Sequence, residues 1–341
     1  MLVLLGCSEE STEPQREQRR LLGTTSIITI YDDSIPEDAF ERYFSRVEEI
    51  QNRMSINESD YDDTEVLQIN RNAGEQAVEV SSDTFHVIQQ GKEWGRVTDG
   101  VFDISVTPLV RLWGIGTSSE QVPSEEAREE ALSHIDFRDV ELNESEQSVY
   151  LKDEGMGIDV GGIAKGFAVD EIVSMMSEDG IEGAIVDFGG DLYTIGTRPN
   201  GDPWRIGIQH PSGRRQELLA VITSSNESVV TSGPYERYFE GDDGERYHHI
   251  FDIETGAPAR SGLVSATVIG PEALAADVLS TTIFVMGLEE GAALIESLPD
   301  YEAVFATEDG GVYATGDVAD NLEIQADDFE LRELDSTDSS R

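Results

Sequence analysis

Hydrophobic residues recur with two different periods along this chain, and the two periods predict both helices and strands. From Ala39 to Met54 they fall three and four residues apart, and a second such run extends from Ser82 to Thr98, so both segments are predicted to be amphipathic helices. Between Thr24 and Tyr31, β-branched and apolar residues alternate, which is typical of a strand. The other predicted elements are paired short strands within 140–151, strands over 184–187, 204–209, 218–223, 247–252, 264–269 and 304–306, and helices over 168–178, 274–286 and 288–298.

The predicted strands and helices occur in groups and do not alternate strictly. This arrangement favours an α+β fold, with mixed sheets packed against helices, over a doubly wound parallel sheet. No linker divides the middle of the chain, and no internal repeat stands out. We therefore expect a polar tether over residues 1–20, a single compact domain over residues 21–325 and an acidic tail over residues 326–341.

The charge balance is strongly acidic along the whole length of the chain. Its 341 residues include 70 Asp and Glu against 23 Lys and Arg, which gives a formal net charge of −47. Such an excess, with very few lysines, indicates a halophilic protein, because dense salt screens the self-repulsion of the carboxylates. The absence of a basic patch from the sequence argues against a nucleic-acid partner, since no surface could neutralise phosphates.

The N-terminal residues suggest a membrane anchor. Leu4-Leu5-Gly6-Cys7 resembles a bacterial lipobox, and Cys7 is the only cysteine, so an internal disulfide is excluded. We expect an exported protein that is lipid-anchored through Cys7 on the cell-surface side of the cytoplasmic membrane, with Ser8–Gln18 as a tether. The alternative is a chance match, because the apolar run is short and no basic region precedes it.

A glycine turn is the most informative stretch of the chain. In Ile158–Asp170, a short strand, the turn Gly161-Gly162 and a helix follow one another, and Lys165 stands within the turn. Glycines let the backbone approach a ligand closely, and a helix N-terminus attracts phosphate. A plain structural turn is an equally good interpretation of this segment by itself, and the spacing of a Walker P-loop is absent.

A second candidate site lies in the apolar helix around Ala275–Thr282. Asp277 and Thr281 are four residues apart and therefore share a helix face, with Ser280 on the adjoining face. A carboxylate and hydroxyls are hard oxygen donors suited to Mg²⁺. The alternative is that Asp277 caps a neighbouring turn while Thr281 bonds back to its own helix.

Aromatic and cationic residues alternate in Tyr235–Phe239 and again in Arg246–Asp252. On paired strands such a surface can stack a ring system and hold phosphates. His248 and His249 are adjacent, and neighbours on a strand point to opposite faces, so only one of them is expected to face a site. Earlier in the chain, Thr98–Leu109 carries an aromatic residue and a carboxylate on a turn, for which a simple helix-ending loop is the alternative.

Taken in order, these motifs resemble the ApbE-type flavin transferases over about residues 22–287. The resemblance rests on the segments 22–24, 100–103, 159–166, 186–191, 203–208, 232–233, 236–239, 248–250, 252, 255–256 and 276–281. It implies an ApbE-like (T-fold-like) catalytic domain. It also implies an activity, the Mg²⁺-dependent transfer of FMN from FAD onto a threonine of a target flavoprotein with release of AMP.

The resemblance also implies roles for individual residues. Mg²⁺ would be held by the Gly162 carbonyl, Asp277 and Thr281, with Ser280 nearby. His249 is the implied proton-transfer residue, and Lys165 and Asp277 complete the catalytic set. The residues that would contact FAD are Leu22, Val101, Phe102, Asp103, Asp159, Lys165 and Phe251, with a further position near Asn57. The acceptor would be a membrane redox subunit with a Ser/Thr-Ala-Thr segment.

The chain departs from the family pattern at a few positions. Leu22 replaces the usual methionine, Ile104 and Ile253 stand where prolines are common, and Thr107 replaces a glycine. None of these removes an implied Mg²⁺ ligand. Two other functions remain open, an FAD hydrolase that gives FMN and AMP, and a non-catalytic FAD-binding lipoprotein.

Overall fold

The computed structural model describes residues 13–57, 61–212 and 217–334. Cys7 and the lipobox lie outside these residues, as do the predicted Gly213–Arg215 turn and residues 335–341 of the acidic tail. Among the described residues, no helix has the length and apolar character needed to cross a membrane.

Helices and short strands alternate with loops in the following order. The helices are α1 (Ala39–Met54), α2 (Glu65–Arg71), α3 (Ser82–Val97), α4 (Thr107–Trp113), α5 (Glu125–Leu132), α6 (Ala164–Glu178), α7 (Ala273–Met286), α8 (Leu288–Glu296) and α9 (Val318–Asn321). The first strands are β1 (Gln15–Leu21), β2 (Thr24–Ile30), β3 (Val78–Glu79), β4 (Val140–Asn143), β5 (Ser148–Leu151), β6 (Ala184–Phe188), β7 (Asp191–Ile195), β8 (Trp204–Gln209), β9 (Leu218–Ser224) and β10 (Glu227–Ser232). The remaining strands are β11 (Tyr238–Glu240), β12 (Arg246–His248), β13 (Phe251–Asp252), β14 (Ala257–Pro258), β15 (Leu263–Gly270), β16 (Glu302–Thr307), β17 (Gly311–Ala314), β18 (Glu323–Ile324) and β19 (Glu330–Leu331).

The largest sheet has nine strands within the described residues, in the order β1-β2-β6-β7-β10-β15-β16-β17-β19. Every neighbouring pair is antiparallel except β17 and β19, which are parallel. Two three-stranded sheets, β18-β9-β8 and β3-β5-β4, and the hairpins β11-β12 and β13-β14 complete the pairing. The mixed sheets and packed helices confirm the predicted α+β class.

The large sheet is the middle layer of the domain, because alternate residues along its strands bury against different partners. In β16, Phe305 packs with residues of α7 and α8, whereas Val304 packs with residues of β8 and β9. In β6, Val186 belongs to the cluster that includes α1 and α6, while Ile185 lies on the opposite face. The period of two thus places helices on one face and the small sheet on the other.

The predicted elements agree with the structure where the hydrophobic period is strong. The bounds Ala39–Met54 and Trp204–Gln209 match residue for residue. The predicted strand over 247–252 is instead two strands, β12 and β13, that belong to different hairpins. The predicted helix over 168–178 begins four residues earlier, at Ala164.

Both ends of the described chain differ from the expected tether and tail. Gln15–Leu21, predicted as part of the tether, pairs along its whole length with β2. Glu330–Leu331, predicted as part of the tail, pairs with β17 at the other edge of the sheet. Both are edge strands with largely exposed side chains, so they lack the hydrophobic alternation from which strands are predicted.

Candidate active site

Helices α6 and α7 meet in a close backbone contact. A Cβ atom on Gly166 of α6 would lie 2.3 Å from the carbonyl oxygen of Ala273 and 2.6 Å from Cα of Leu274, so the contact requires a glycine. One turn later, the carboxylate of Asp170 accepts hydrogen bonds from the N–H groups of Ala273 and Leu274, both at 2.8 Å. The N-cap residue of α7, Glu272, makes no side-chain capping bond of its own. Asp170 therefore caps α7 from the neighbouring helix.

Three charged side chains converge at this contact. Lys165 Nζ donates to both carboxylate oxygens of Asp191 at 2.7 Å and to Oδ1 of Asp277 at 3.1 Å. The second oxygen of Asp277 accepts from the backbone N–H of Gly166 at 3.1 Å. Asp191 and Asp277 are 2% and 3% exposed, so both carboxylates are held away from solvent.

The electrostatics of this cluster follow from its burial. Burial by itself lowers the pKa of Lys165, but the charges of Asp191 and Asp277 outweigh it and raise the pKa above its ordinary value, so the lysine stays protonated. Burial and the charge of Asp277 raise the pKa of Asp191 well above its ordinary value. One cation thus faces two carboxylates, an arrangement that favours the binding of a further cation.

A cluster of hydroxyl groups lies beside the carboxylates. Ser232 Oγ is 2.9 Å from Ser280 Oγ and 3.2 Å from Thr281 Oγ1, and Ser280 Oγ donates to the backbone carbonyl of Asp277 at 3.0 Å. A Cβ on Gly162 would lie 4.0 Å from Thr281 Oγ1, which places the backbone of the glycine turn next to that hydroxyl. The predicted Mg²⁺ ligands are therefore neighbours in the structure.

The donor chemistry of these residues fits Mg²⁺. A carboxylate, hydroxyls and a backbone carbonyl are hard oxygen ligands of the kind that this ion prefers. Within residues 13–57, 61–212 and 217–334, no group of three or more His, Cys, Asp or Glu side chains is arranged to hold a metal ion. A metal centre at the α6–α7 contact would therefore depend on hydroxyl and backbone oxygens as well as on Asp277.

The structure separates the roles of the two adjacent histidines. His248 is buried, with Nε2 3.0 Å from the Ala259 carbonyl and Nδ1 accepting from the N–H of Ile250, so both ring nitrogens are engaged in packing the hairpin. His249 is only partly buried, and its Nδ1 lies 3.2 Å from the carbonyl oxygen of Arg237. A carbonyl can only accept, so Nδ1 carries the proton and Nε2 presents a lone pair.

His249 is neutral over a wide range of pH. Burial, together with the positive charge of Arg237, lowers the pKa of His249 to about 3. The charge of Lys165 acts in the same direction, which shows that the imidazole lies within electrostatic range of the lysine cluster. A neutral imidazole with a free Nε2 can accept a proton.

The glycine turn and the loop before α4 lie against each other. The backbone N–H of Asp159 donates to the Ile104 carbonyl at 2.8 Å, and the Asp159 carboxylate accepts from the N–H of Gly161 at 2.7 Å. A Cβ on Gly162 would lie 3.2 Å from the ring of Phe102. The predicted flavin-binding residues Phe102 and Asp159 therefore border the same turn as the hydroxyl cluster.

The other predicted FAD residues are placed differently. The carboxylate of Asp103 is turned inward, where it accepts hydrogen bonds from Ser105 and from the N–H of Phe137 at 2.9 Å. The ring of Phe251 is buried beside Trp113, 6.1 Å between ring centroids. The side chains of Asp103 and Phe251 thus stabilise the surrounding loops, and any contact they make with a ligand must come from their backbone.

Leu22 and Val101 border the site through turns. Leu22 has a positive φ of 53°, and its N–H donates to the side-chain oxygen of Gln51 at 2.5 Å. Val101 follows Gly100, whose φ is 89°, and its N–H donates to the Thr98 carbonyl at 3.1 Å. Both residues therefore occupy conformations that local hydrogen bonds hold in place.

Four residues of the site have no assigned role in the sequence prediction. These residues are Asp170, Asp191, Ser232 and Arg237, and each lies in a segment that the motif analysis quotes. No local pattern indicates their partners, because those partners are separated from them in sequence by between 12 residues, for Arg237 and His249, and 112 residues, for the Lys165–Asp277 pair of the same cluster.

Comparison with known proteins defines the family. The profile of the ApbE family matches residues 22–305. The chain belongs to the ApbE family. A relative from Klebsiella pneumoniae named FAD:protein FMN transferase is 34% identical over 287 residues, which cover 84% of this chain and 87% of that protein. A relative of the same name from Treponema pallidum is 32% identical over 321 residues, covering 89% of this chain and 87% of that protein.

Solved structures of ApbE proteins share the fold of this family member. The ApbE protein of Thermotoga maritima is 34% identical and aligns with a TM-score of 0.80 over 88% of this chain and 96% of its own. The flavin transferase ApbE of Vibrio cholerae is 26% identical, with a TM-score of 0.79 over 91% of this chain and its whole length. The ApbE-like fold implied by the sequence motifs is thereby confirmed.

Proposed function

We propose that this ApbE-family chain transfers FMN from FAD onto a threonine hydroxyl of an acceptor flavoprotein, in a Mg²⁺-dependent reaction that releases AMP. The relatives named FAD:protein FMN transferase, which align over most of both chains, support the flavin-transfer part of this proposal. The observation that carries it is the convergence of Asp277, Ser280, Thr281 and Gly162 on one side of the Lys165 ammonium group.

Asp277, Thr281 and the Gly162 carbonyl would hold Mg²⁺, with Ser280 next to them. When bound, the ion would neutralise charge on the phosphoryl group that is transferred. Ser232 hydrogen-bonds both hydroxyls of α7 and so restricts their orientation. Asp170 holds the N-terminus of the same helix, and Asp277 is itself held by Lys165 and Gly166.

His249 is the residue that we propose to receive the proton of the acceptor hydroxyl. The threonine oxygen forms a bond to the FMN phosphorus, the pyrophosphate P–O bond breaks, and AMP leaves with the bonding electron pair. The proton goes to Nε2 of His249, which the hydrogen bond from Nδ1 to Arg237 leaves free. The low pKa of His249, about 3, keeps the ring in the form that accepts a proton at neutral pH.

FAD would lie along the wall formed by the glycine turn and the Val101–Asp103 loop. Leu22, Phe102 and Asp159 border this wall with exposed or partly exposed atoms, whereas Asp103 and Phe251 would contribute through their backbone. Lys165 is paired with Asp191 and Asp277, so we assign it to orienting the Asp277 carboxylate as well as to balancing charge near the phosphates.

A matched pair of isosteric variants tests the proposed centre. Thr281→Val removes the hydroxyl next to Gly162, whereas Thr282→Val removes a hydroxyl that bonds back to the Val278 carbonyl of its own helix at 2.8 Å. Purified proteins are incubated with FAD, Mg²⁺ and an acceptor domain that carries a Ser/Thr-Ala-Thr segment, and covalent flavin fluorescence on the acceptor is measured. We expect Thr281→Val to need at least about tenfold more Mg²⁺ and Thr282→Val to behave as the wild type.

The same assay separates the alternative functions. Free FMN and AMP without a labelled acceptor would indicate an FAD hydrolase, and unchanged FAD would indicate a binding protein. Asp277→Ala should abolish Mg²⁺-dependent turnover, because it removes the carboxylate of the set. Wild-type turnover in this variant would overturn the proposed centre.

We further propose that the protein is exported and lipid-anchored through Cys7, and that its acceptor is a membrane redox subunit. The lipobox-like Leu4-Leu5-Gly6-Cys7 supports this proposal. Mass spectrometry of the native membrane fraction should find a mature chain that begins at a lipid-modified Cys7. A soluble chain that retains Met1 and has an unmodified cysteine would contradict the anchor and leave the proposed catalysis standing.

A further inference from the structure

The guanidinium group of Arg237 occupies a defined place at the proposed FAD site. Its nitrogen Nη2 lies 3.0 Å from the point that a Cβ on Gly23 would occupy. Gly23 and Leu22 both have positive φ, 70° and 53°, so this turn presents its bare backbone to the arginine. At the other end of the residue, the Arg237 carbonyl accepts from the backbone N–H of His249 at 3.2 Å.

The positive charge of Arg237 has no partner among the described residues. The side chain is exposed, and in the described part of the chain no carboxylate oxygen lies within 4.0 Å of it. The neighbouring arginines of the same region do have partners, since Arg246 lies 3.5 Å from Glu240 and Arg260 lies 3.4 Å from Glu245. In a chain with a net charge of −47, an unpaired cation is unusual.

The field of Arg237 reaches the residues of the site. Its charge acts against the effect of burial on the Asp159 carboxyl and adds to the effect of burial on His249. By contrast, the charge of Lys165 is already matched by Asp191 and Asp277. The cation that remains available for an anionic ligand between the Leu22–Gly23 turn and His249 is therefore Arg237.

We propose that the Arg237 guanidinium binds the pyrophosphate of FAD, an assignment that rests on the proposed flavin-transfer function. A guanidinium presents a planar fork of N–H donors that matches two phosphate oxygens, and it retains its charge at every physiological pH. The acidic surface of this protein repels a pyrophosphate, so a fixed local cation is needed to hold it. The missing side chain of Gly23 leaves the space in which the guanidinium is held.

Binding measurements with fragments of FAD test this assignment. The affinities of wild type, Arg237→Gln and Arg237→Lys are measured in EDTA for FAD and riboflavin, by flavin fluorescence, and for ADP, by competition with FAD. Arg246→Gln, on the adjacent hairpin strand, is the matched control. We expect Arg237→Gln to bind FAD and ADP at least about tenfold more weakly, to bind riboflavin as the wild type does, and Arg237→Lys to fall between them.

Several results would overturn the assignment. These are wild-type affinity for FAD in Arg237→Gln, an equal loss of riboflavin affinity, which would assign Arg237 to the flavin ring, and an increase confined to the KM for the acceptor. The two proposals fail separately. A wild-type protein that binds FAD without labelling the acceptor contradicts the transfer reaction, whereas a wild type that labels it beside an Arg237→Gln variant of unchanged FAD affinity contradicts only the pyrophosphate contact.

Discussion

The capping of α7 by Asp170 predicts that a single substitution on α6 will weaken both the fold and the proposed metal centre. Asp170→Ala removes the acceptor of two N–H groups in the first turn of α7. That turn begins at Ala273, one turn before Asp277, and its N-cap residue provides no replacement bond. We expect the variant to be less stable and to bind Mg²⁺ more weakly, because the helix that carries the ligands loses its anchor.

The size of the effect is set by two opposing contributions. Each buried N–H left without an acceptor costs about 1–3 kcal/mol. Against this, burial raises the pKa of Asp170 from its ordinary 3.8 to about 6, so the ionised carboxylate is itself disfavoured in the folded protein. We expect a net loss of about 2–3 kcal/mol in the free energy of unfolding at neutral pH.

The same pKa shift predicts a dependence on pH with a definite sign. The folded protein binds a proton at Asp170 near pH 6, whereas the unfolded chain binds it near the ordinary pKa of 3.8. The contribution of Asp170 to the free energy of unfolding therefore falls as the pH rises from about 4 to about 6, by up to about 3 kcal/mol. Asp170→Asn, which cannot titrate, should lack this dependence.

Chemical denaturation in molar KCl, followed by circular dichroism, measures these quantities, and a Mg²⁺ titration of turnover measures the effect on the site. Glu171→Gln is the control on the same helix, because the partly exposed Glu171 forms an ion pair with Arg46 at 2.7 Å that is worth less than about 1 kcal/mol. An Asp170→Ala protein within about 0.5 kcal/mol of the wild type, with unchanged Mg²⁺ dependence, would refute the capping argument.

Three further predictions follow from the packing, the site and the charge. Gly166→Ala should destabilise the fold by more than about 3 kcal/mol in chemical denaturation, because the new Cβ would lie 2.3 Å from the Ala273 carbonyl; a variant with wild-type stability would contradict the helix contact. Since the pKa of His249 is lowered to about 3, the rate of flavin transfer should show no protonation of this residue between about pH 8 and 5; a rate loss near pH 6.5 that disappears in His249→Ala would contradict the neutral base. The melting temperature should rise from dilute buffer to about 1 M salt, where the Debye length falls to about 3 Å, and an unchanged melting temperature would count against a halophilic protein.

The secondary structure follows from the sequence wherever one face of an element is buried. Ala39–Met54 packs one stripe into the core, and its hydrophobic period alone predicts both of its ends. The edge strands Gln15–Leu21 and Glu330–Leu331 are mostly exposed on their side chains, so the bonds that define them are backbone bonds to distant strands. No period in the sequence reports those bonds, and both segments are predicted wrongly as tether and tail.

The candidate site divides in the same way. The sequence by itself determines that Asp277 and Thr281 share a helix face, that glycines precede Lys165, and, through the order of its motifs, the family to which the chain belongs. Only the tertiary structure brings Asp191 and Ser232 to these residues, has Asp170 cap a helix about a hundred residues away, and leaves Arg237 beside Gly23 without a counter-charge. The physical reason is that helix geometry relates residues three and four apart, whereas charge pairing and capping depend on which elements the core packs together.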